Sequence, residues 1–272
     1  KIYISIYPKT GGTLTTTTKE TIKKSLEDYK IASTSIIIED PITIKIIPVV
    51  NFKFDSSSTT KTSTGLETLV TAAINNFSDD NLEKFEGIFR FSKLTRTIDD
   101  VDPSILSNIT TLKISNAVTP TLSTATKYTI KFSNTIYNPH SGHLASTGGV
   151  LSSTGFVISG NVNTLYLDDD GEGNVRTYYS AASVRSYVDS TAGTINYSTG
   201  EVVLTSLNIT SVANSDDTIT ITVIPSSNDI VPVRNQILEI DSTNMTVTGA
   251  EDSIAAGSSN AGTQYTTTTS YS

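Results

Sequence analysis

The sequence contains no cysteine and no tryptophan, one methionine, and two histidines among 272 residues. The lack of cysteine excludes disulfides, thiolate metal sites and cysteine nucleophiles. It also lacks a long hydrophobic run. The longest apolar-rich stretch, Ile42 to Phe54, is interrupted by Lys45, Pro48, Asn51 and Lys53. A membrane-spanning helix needs about 20 consecutive apolar residues, so no membrane partner is expected. No basic-then-apolar leader opens the chain. It begins on Lys1, already inside a strand-like alternation, and its only methionine is Met245. The sequence therefore reads as part of a longer polypeptide with a further N-terminal region.

Positive charge is scarce in one part of the chain. The formal net charge is −8, and 16 of the 19 lysines and arginines lie at or before Lys131. That part sums to +2 and the remainder to −10. The overall acidity argues against nucleic acid as the main partner. The break predicts two modules with different surroundings.

The first module alternates helix and strand patterns. Ile2, Ile4 and Ile6 alternate with Tyr3, Ser5 and Tyr7, which is strand period. A helix follows with Ile22, Leu26 and Tyr29 on one face, and Thr17 and Glu20 have capping-box spacing. Ile36 to Ile38 read as a short strand. A long strand then places Ile42, Ile44, Ile46, Val50, Phe52 and Phe54 on one face, with Pro48 suggesting an edge or a bulge. A second helix carries Leu66, Leu69, Val70, Ala73, Ile74 and Phe77, with Thr64 and Glu67 at capping-box spacing. A third, over Ser92 to Asp100, buries Leu94 and Ile98. Leu112 and Ile114 mark a closing strand. This order resembles a loose duplication of a split βαβ unit.

From about Ser123 no amphipathic helix is evident. Short strands recur about every ten residues between Gly, Asn, Asp and Ser turns, the pattern of a sandwich or barrel. Ser198-Thr199-Gly200 reads as a tight hairpin turn, and Ile237 to Ile240 with Met245 to Val247 read as a last hairpin. From Gly257 to Ser272 the chain is uncharged and rich in Ser and Thr, too polar to bury a core of its own. The expected fold class is α+β. An N-terminal module of split βαβ units spans 1–118. An all-β, sandwich-like module spans 123–250, and an extended Ser/Thr-rich C-terminal arm spans 251–272.

Catalytic chemistry is sparse. His140 and His143 sit in Asn138-Pro139-His140-Ser141-Gly142-His143, and their i, i+3 spacing suits two positions of a metal site. With no carboxylate nearby in sequence, the alternative is a pair of hydrogen-bonding loop residues, and no metal is assigned. Asp168-Asp169-Asp170-Gly171-Glu172-Gly173 looks like a calcium loop. With Gly171 at the sixth position, however, the first is Tyr166 and the twelfth Thr177, neither a carboxylate. A hairpin turn is the better reading. There is no nucleophile elbow and no phosphate loop. Glycoside hydrolases usually carry aromatic platforms, and here aromatics are 7% of the residues. No catalytic residue and no cofactor is assigned, and the protein is expected not to be an enzyme.

Several segments resemble the baseplate wedge family of contractile-tailed phages, within the baseplate J-like group. In the first module these are Ile6-Tyr7-Pro8-Lys9, the run from Phe85 to Leu94, and the run from Ile98 to Ile105. In the second they are Asn138 to His143, Ser152 to Phe156, Gly193 to Gly200, and Ser227 to Leu238. The segments run in the family's order, and the resemblance is to that family's C-terminal half. It implies a virion structural protein of the tail baseplate, assembled in the host cytoplasm. The implied partners are a second copy of the chain, other wedge subunits, and hub- or sheath-proximal tail proteins. The implied role is a ring around the tail hub that passes on the trigger for sheath contraction. The alternative is a carbohydrate- or cell-binding β-sandwich module of an adhesin, against which the helical first module argues.

Interface residues are expected in two places. Asn228 to Ile240 is apolar and proline-containing yet carries Arg234, which nominates Asp229, Ile230, Val231, Arg234 and Ile237. In the C-terminal arm, Tyr265 and Tyr271 flank the β-branched run Thr266 to Thr269 and are nominated as anchors.

Overall fold

The computed structural model describes residues 1–8, 11–31 and 33–252. The fold is mixed α+β, mostly sheet with few helices. The chain starts with β1 (Ile2–Ser5), α1 (Thr16–Leu26), a short 3-10 turn (Glu27–Tyr29) and β2 (Ile36–Glu39). It continues with β3 (Ile42–Phe54), α2 (Ser63–Asn81), α3 (Phe91–Asp99) and β4 (Ile105–Val118). Then come β5 (Ala125–Lys131), β6 (Leu151–Ser153), β7 (Phe156–Ile158), β8 (Tyr166–Asp169) and β9 (Asn174–Ala181). The last strands are β10 (Val184–Asn196), β11 (Glu201–Val212), β12 (Ile219–Val223), β13 (Gln236–Ile240) and β14 (Thr246–Glu251). The chain forms two compact units, each discontinuous in sequence. One comprises Lys1–Ile46, Asp79–Phe89 and Leu112–Glu239; the other comprises Ile47–Ser78, Arg90–Thr111 and the chain from Ile240 onward. The connection between the two expected modules, residues 118–123, falls between β4 and β5, inside the first unit.

In the first unit β1 and β2 pair in parallel, with Ile2 opposite Ile36 and Ser5 opposite Glu39. They are direct neighbours, a βαβ unit with no strand between its two parallel strands. The α1 helix is capped two residues earlier than the Thr17/Glu20 spacing suggests: Thr15 Oγ1 accepts from Thr18 N at 3.2 Å. No residue of α1 is fully buried. Tyr29, expected on its apolar face, instead falls in the 3-10 turn and is exposed.

The same unit holds an antiparallel sheet in the order β5-β11-β10-β9-β8, with β7 also on β11. Tyr128, Ile130, Val202, Leu204, Val175 and Leu167 from these strands are buried. The sequence carries a strand pattern only over Thr194 to Tyr197, at the end of β10. Its early residues are mostly exposed and mix Val184, Tyr187 and Val188 with polar side chains without regular alternation, and the turn leading into it is Ala182-Ser183, both at positive φ (49° and 66°). Turns of that hand are normally marked by Asn, Asp or Gly, so the sequence carries no signal for this one. Elsewhere in the unit β12 pairs antiparallel with Ile114–Val118 of β4 and with β6. Its Ile219, Ile221 and Val223 are all buried.

In the second unit β14 pairs in parallel with Val49 to Phe54 of β3. The expected β13–β14 hairpin does not form. Residues 241–245 make one α-type turn, with Met245 N donating to Asp241 O at 2.9 Å. The Asp241 carboxylate reinforces it by accepting from the amides of Thr243 and Asn244. A two-residue reversal is therefore not available. Pairing with β14 begins at Val49, just past Pro48, whose nitrogen has no hydrogen to donate. The Thr64/Glu67 capping box is also not used. Thr62 Oγ1 accepts from Gly65 N at 3.1 Å, and Glu67 Oε1 reaches across to accept from Gly249 N at 2.9 Å. Ser63 Oγ donates to Gly249 O at 2.8 Å, so α2 satisfies the outer edge of β14. Leu66, Val70, Ile74 and Phe77 form the buried stripe of α2, whereas Leu69 is exposed.

The α3–β4 connection shows what the Ile98 to Ile105 segment does. Asp102 is buried and accepts from Ser104 N (3.0 Å), Ser104 Oγ (2.7 Å) and Lys61 Nζ (2.6 Å). The bond from Lys61, then those from Ser104, hold its carboxyl down at about 2, from an ordinary 3.8. A depressed carboxyl stabilises the fold above its unfolded value, and that contribution is lost as pH falls toward the folded value. The melting temperature is therefore expected to decline between about pH 4 and pH 2. Asp102→Asn should make that decline shallower. An unchanged slope in a thermal-melt pH series would refute this role.

Candidate functional site

Three places in the first unit gather polar side chains. The first is the loop from Asn138 to His143. Asn138 Nδ2 donates to Gly171 O at 3.1 Å and Gly142 N to the same oxygen at 3.0 Å. The loop is thereby laid against the acidic turn after β8. His140 Nε2 and His143 Nδ1 lie 3.3 Å apart with their rings edge to face, and the Tyr137 ring meets His143 the same way. A cavity of about 680 Å³ beside them is lined by His140, Glu172, Tyr197 and Glu201 among others. Among the described residues, no group of three or more His, Asp or Glu side chains is placed to hold a metal.

The second place is the acidic turn itself. Residues 170–173 join the antiparallel pair β8–β9, as the hairpin reading expects. Its two preceding carboxylates are almost fully buried: Asp168 and Asp169 are each 1% exposed. Asp168 Oδ1 accepts from Arg176 Nε at 2.9 Å, and Oδ2 accepts from Arg185 Nη1 at 2.6 Å and Tyr187 Oη at 2.9 Å. Arg176 also donates to the carbonyls of Ala145 and Asp169 and stacks over the Tyr187 ring. Arg185 stacks over Tyr178. Asp169 accepts from Leu151 N at 2.8 Å and from Tyr197 Oη at 2.6 Å. Burial, then the bond to Asp169, pushes the Tyr197 phenol well above its ordinary range. It is thus held as a neutral donor. Gly149 is required here because a Cβ at that position would meet the Asp169 carboxylate at 2.1–2.2 Å. The two carboxylates thereby tie β6, β8, β9 and β10 together as a clamp. Sequence reasoning missed it. The one available signal was that Arg176 and Arg185 are two of only three basic residues after Lys131.

The third place is the Asn228 to Ile240 segment. Ile230 is buried and exchanges both backbone hydrogen bonds with Phe89, at 3.0 and 3.1 Å. The Asn134 side chain donates to Val231 O and accepts from Val231 N, both at 3.1 Å. Ile237 is buried, and Gln236 is held by Lys131 O and Val233 N. Between these anchors Val231, Val233 and Arg234 are exposed. Asp229 donates its backbone amide to Ser227 Oγ. Arg234 and Asn235 line a cavity of about 670 Å³ together with Tyr3, Ser5, Glu39 and Phe85. Tyr7, just beyond β1, points its hydroxyl at Glu83. Burial and then the Glu83 charge push that phenol up to about 12. The nominated anchors Tyr265 and Tyr271 lie outside the described residues.

No helix among the described residues is long and apolar enough to cross a membrane. Comparison with known proteins matches residues 1–39 to the family described as baseplate structural protein gp6, C-terminal domain I. Residues 44–116 match baseplate structural protein gp6, C-terminal domain III. These limits coincide with structure: the first is the β1-α1-β2 unit, and the second runs from β3 into β4. The chain is similar to baseplate wedge protein gp6 of Enterobacteria phage T4, with 27% identity over 112 residues. That alignment covers 41% of this chain and 17% of the phage T4 protein.

Proposed function

The chain belongs to the baseplate wedge family of phage tails, in the part that forms the family's C-terminal half, and on that premise we propose that it works by docking to neighbouring subunits. As a baseplate wedge protein it is a structural component of the virion tail. In the proposed role it pairs with a second copy, joins a ring around the tail hub, and helps transmit the trigger for sheath contraction. Other wedge subunits and sheath-proximal proteins are the proposed further partners.

The observation that carries this reading is the rigid presentation of Val231, Val233 and Arg234. An exposed segment with two valines and a cation is held at one end by the Phe89–Ile230 bridge and at the other by Gln236. Pre-ordered apolar and guanidinium groups suit an interface, because their ordering cost is already met in the free chain. Phe85 and Ile88, close in sequence to the bridging Phe89, are exposed apolar residues as well.

Arg234→Ala tests the reading. Truncating an interface arginine costs on the order of 2 kcal/mol or more. The variant is expected to weaken assembly with partner subunits about 30-fold, which is that free energy expressed as an affinity ratio. Its own melting temperature should be unchanged, since Arg234 is exposed. Equal assembly by variant and wild type in sedimentation or negative-stain images would count against the proposal.

A further inference from the structure

The sequence leaves His140 and His143 without a carboxylate, and the fold supplies one. The loop that carries them is laid against the acidic turn by two bonds to Gly171 O, from Asn138 Nδ2 and Gly142 N. Glu172 is thereby brought beside the pair. A Cβ placed on Gly142, between the two histidines, would lie 3.5 Å from Glu172 Oε1. His140 and Glu172 also line the same cavity. All of these residues belong to the first unit.

The ring nitrogens are arranged as ligands are. His140 Nδ1 lies 3.2 Å from Ser141 O. A carbonyl can only accept, so Nδ1 carries the hydrogen and Nε2 of the neutral ring keeps a bare lone pair. Metal-binding histidines commonly donate their other ring N–H to a backbone carbonyl in this way, which fixes tautomer and orientation. His140 Nε2 and His143 Nδ1 are 3.3 Å apart. Zinc sits about 2.0–2.1 Å from an imidazole nitrogen, so two such ligands of a tetrahedral ion stand roughly 3.3–3.4 Å apart. The Tyr137 ring meets His143 edge to face, with centroids 5.4 Å apart, and steadies it. His140 is exposed and His143 half-buried, so an ion reaches both from solvent.

We propose that His140 Nε2 and His143 Nδ1 form a two-imidazole site for zinc, with Glu172 as the third protein ligand. The two rings alone stand in ligand positions; the exposed Glu172 side chain joins them by turning, and water fills the fourth position. Imidazole nitrogens select zinc and its transition-metal neighbours over calcium or magnesium, which prefer oxygen. The ion takes the place of the hydrogen that His143 Nδ1 would otherwise share with His140, and the neutral His143 ring then carries its hydrogen on Nε2. Once bound, the ion adds a second link between the 138–143 loop and the β8–β9 turn. Zinc binding here is independent of the assembly role proposed for Arg234.

Calorimetric titration of the chelator-washed full chain with zinc chloride tests it. One zinc ion per chain should bind, and His140→Ala and His143→Ala should each weaken that binding by on the order of tenfold or more. Zinc should raise the melting temperature of the wild type and not of either histidine variant, because only a binding-competent native state gains from the ion. In the wild type, zinc should also shift the nitrogen NMR signal of His143 Nδ1, a readout that needs no variant to fold. The absence of saturable zinc binding would overturn the proposal, and so would binding that both histidine variants retain or an unshifted His143 Nδ1 signal. Glu172→Gln should weaken binding as well, and unchanged affinity there would overturn the assignment of the third ligand.

Discussion

Asp168→Ala is expected to be among the most damaging single substitutions in the chain, with a loss of about 3–5 kcal/mol. The carboxylate is 1% exposed and is shared by two guanidinium groups and a phenol. Removing it takes from Arg176, whose side chain is 12% exposed, its directly bonded carboxylate and leaves the carbonyls of Ala145 and Asp169 and the stacked Tyr187 ring. A buried charge stripped of its partner costs far more than the pair contributes relative to an apolar replacement. Arg185 is the control, since its side chain is 36% exposed. Arg185→Ala should cost about 1 kcal/mol, because water can replace much of what it supplies. Urea unfolding of wild type, Asp168→Ala, Arg185→Ala and the double variant measures both the losses and their coupling. A loss below about 1 kcal/mol for Asp168→Ala would show that the clamp is solvated in the native state.

Gly200→Ala should cost about 3 kcal/mol through two separate effects, backbone strain and steric overlap. Gly200 closes the Ser198-Thr199-Gly200 turn between β10 and β11 at φ +67°, a conformation that side chains rarely adopt. A Cβ there would also lie 2.2 Å from Asn134 O, a backbone atom that cannot swing aside. Asn134 in turn holds Val231 through its side-chain amide. The damage is therefore expected to reach the exposed Val231 to Arg234 segment and weaken assembly together with stability. A melting temperature within a degree or so of wild type, where ~3 kcal/mol should move it by several degrees, would show that the turn can shift away from Asn134.

The same turn illustrates what is legible from residues alone. Gly200 has no side chain and sits between two β-patterned runs, so the reversal there is written locally. The β5 strand is legible for a similar reason, since Tyr128 and Ile130 are buried in alternation with exposed Thr129 and Lys131. Leu94 and Ile98 fall one helical turn apart on the buried side of α3, as their spacing predicts. Where an exposed stretch has neither alternation nor a turn residue, as in the first half of β10, nothing local reports it. The Ala182-Ser183 turn is set by the pairing of β9 with β10 and not by residues that prefer positive φ.

The sequence by itself determined the class of structure and the absence of cysteine chemistry. It also determined the kinship of residues 1–116 with baseplate proteins, because composition, period and family motifs are properties of neighbouring residues. Tertiary structure alone decided the partners. It sent β14 to β3 and not to β13, since a strand's edge hydrogen bonds go to whatever backbone the fold brings alongside. It turned Glu67 from an expected cap into the acceptor for Gly249, 182 residues away. It drew Arg176 and Arg185 onto one buried carboxylate, because desolvation makes a close, well-bonded partner necessary wherever a charge is taken out of water. Neither the β3–β14 pairing nor the Glu67–Gly249 bond is carried by the residues near either end of the contact.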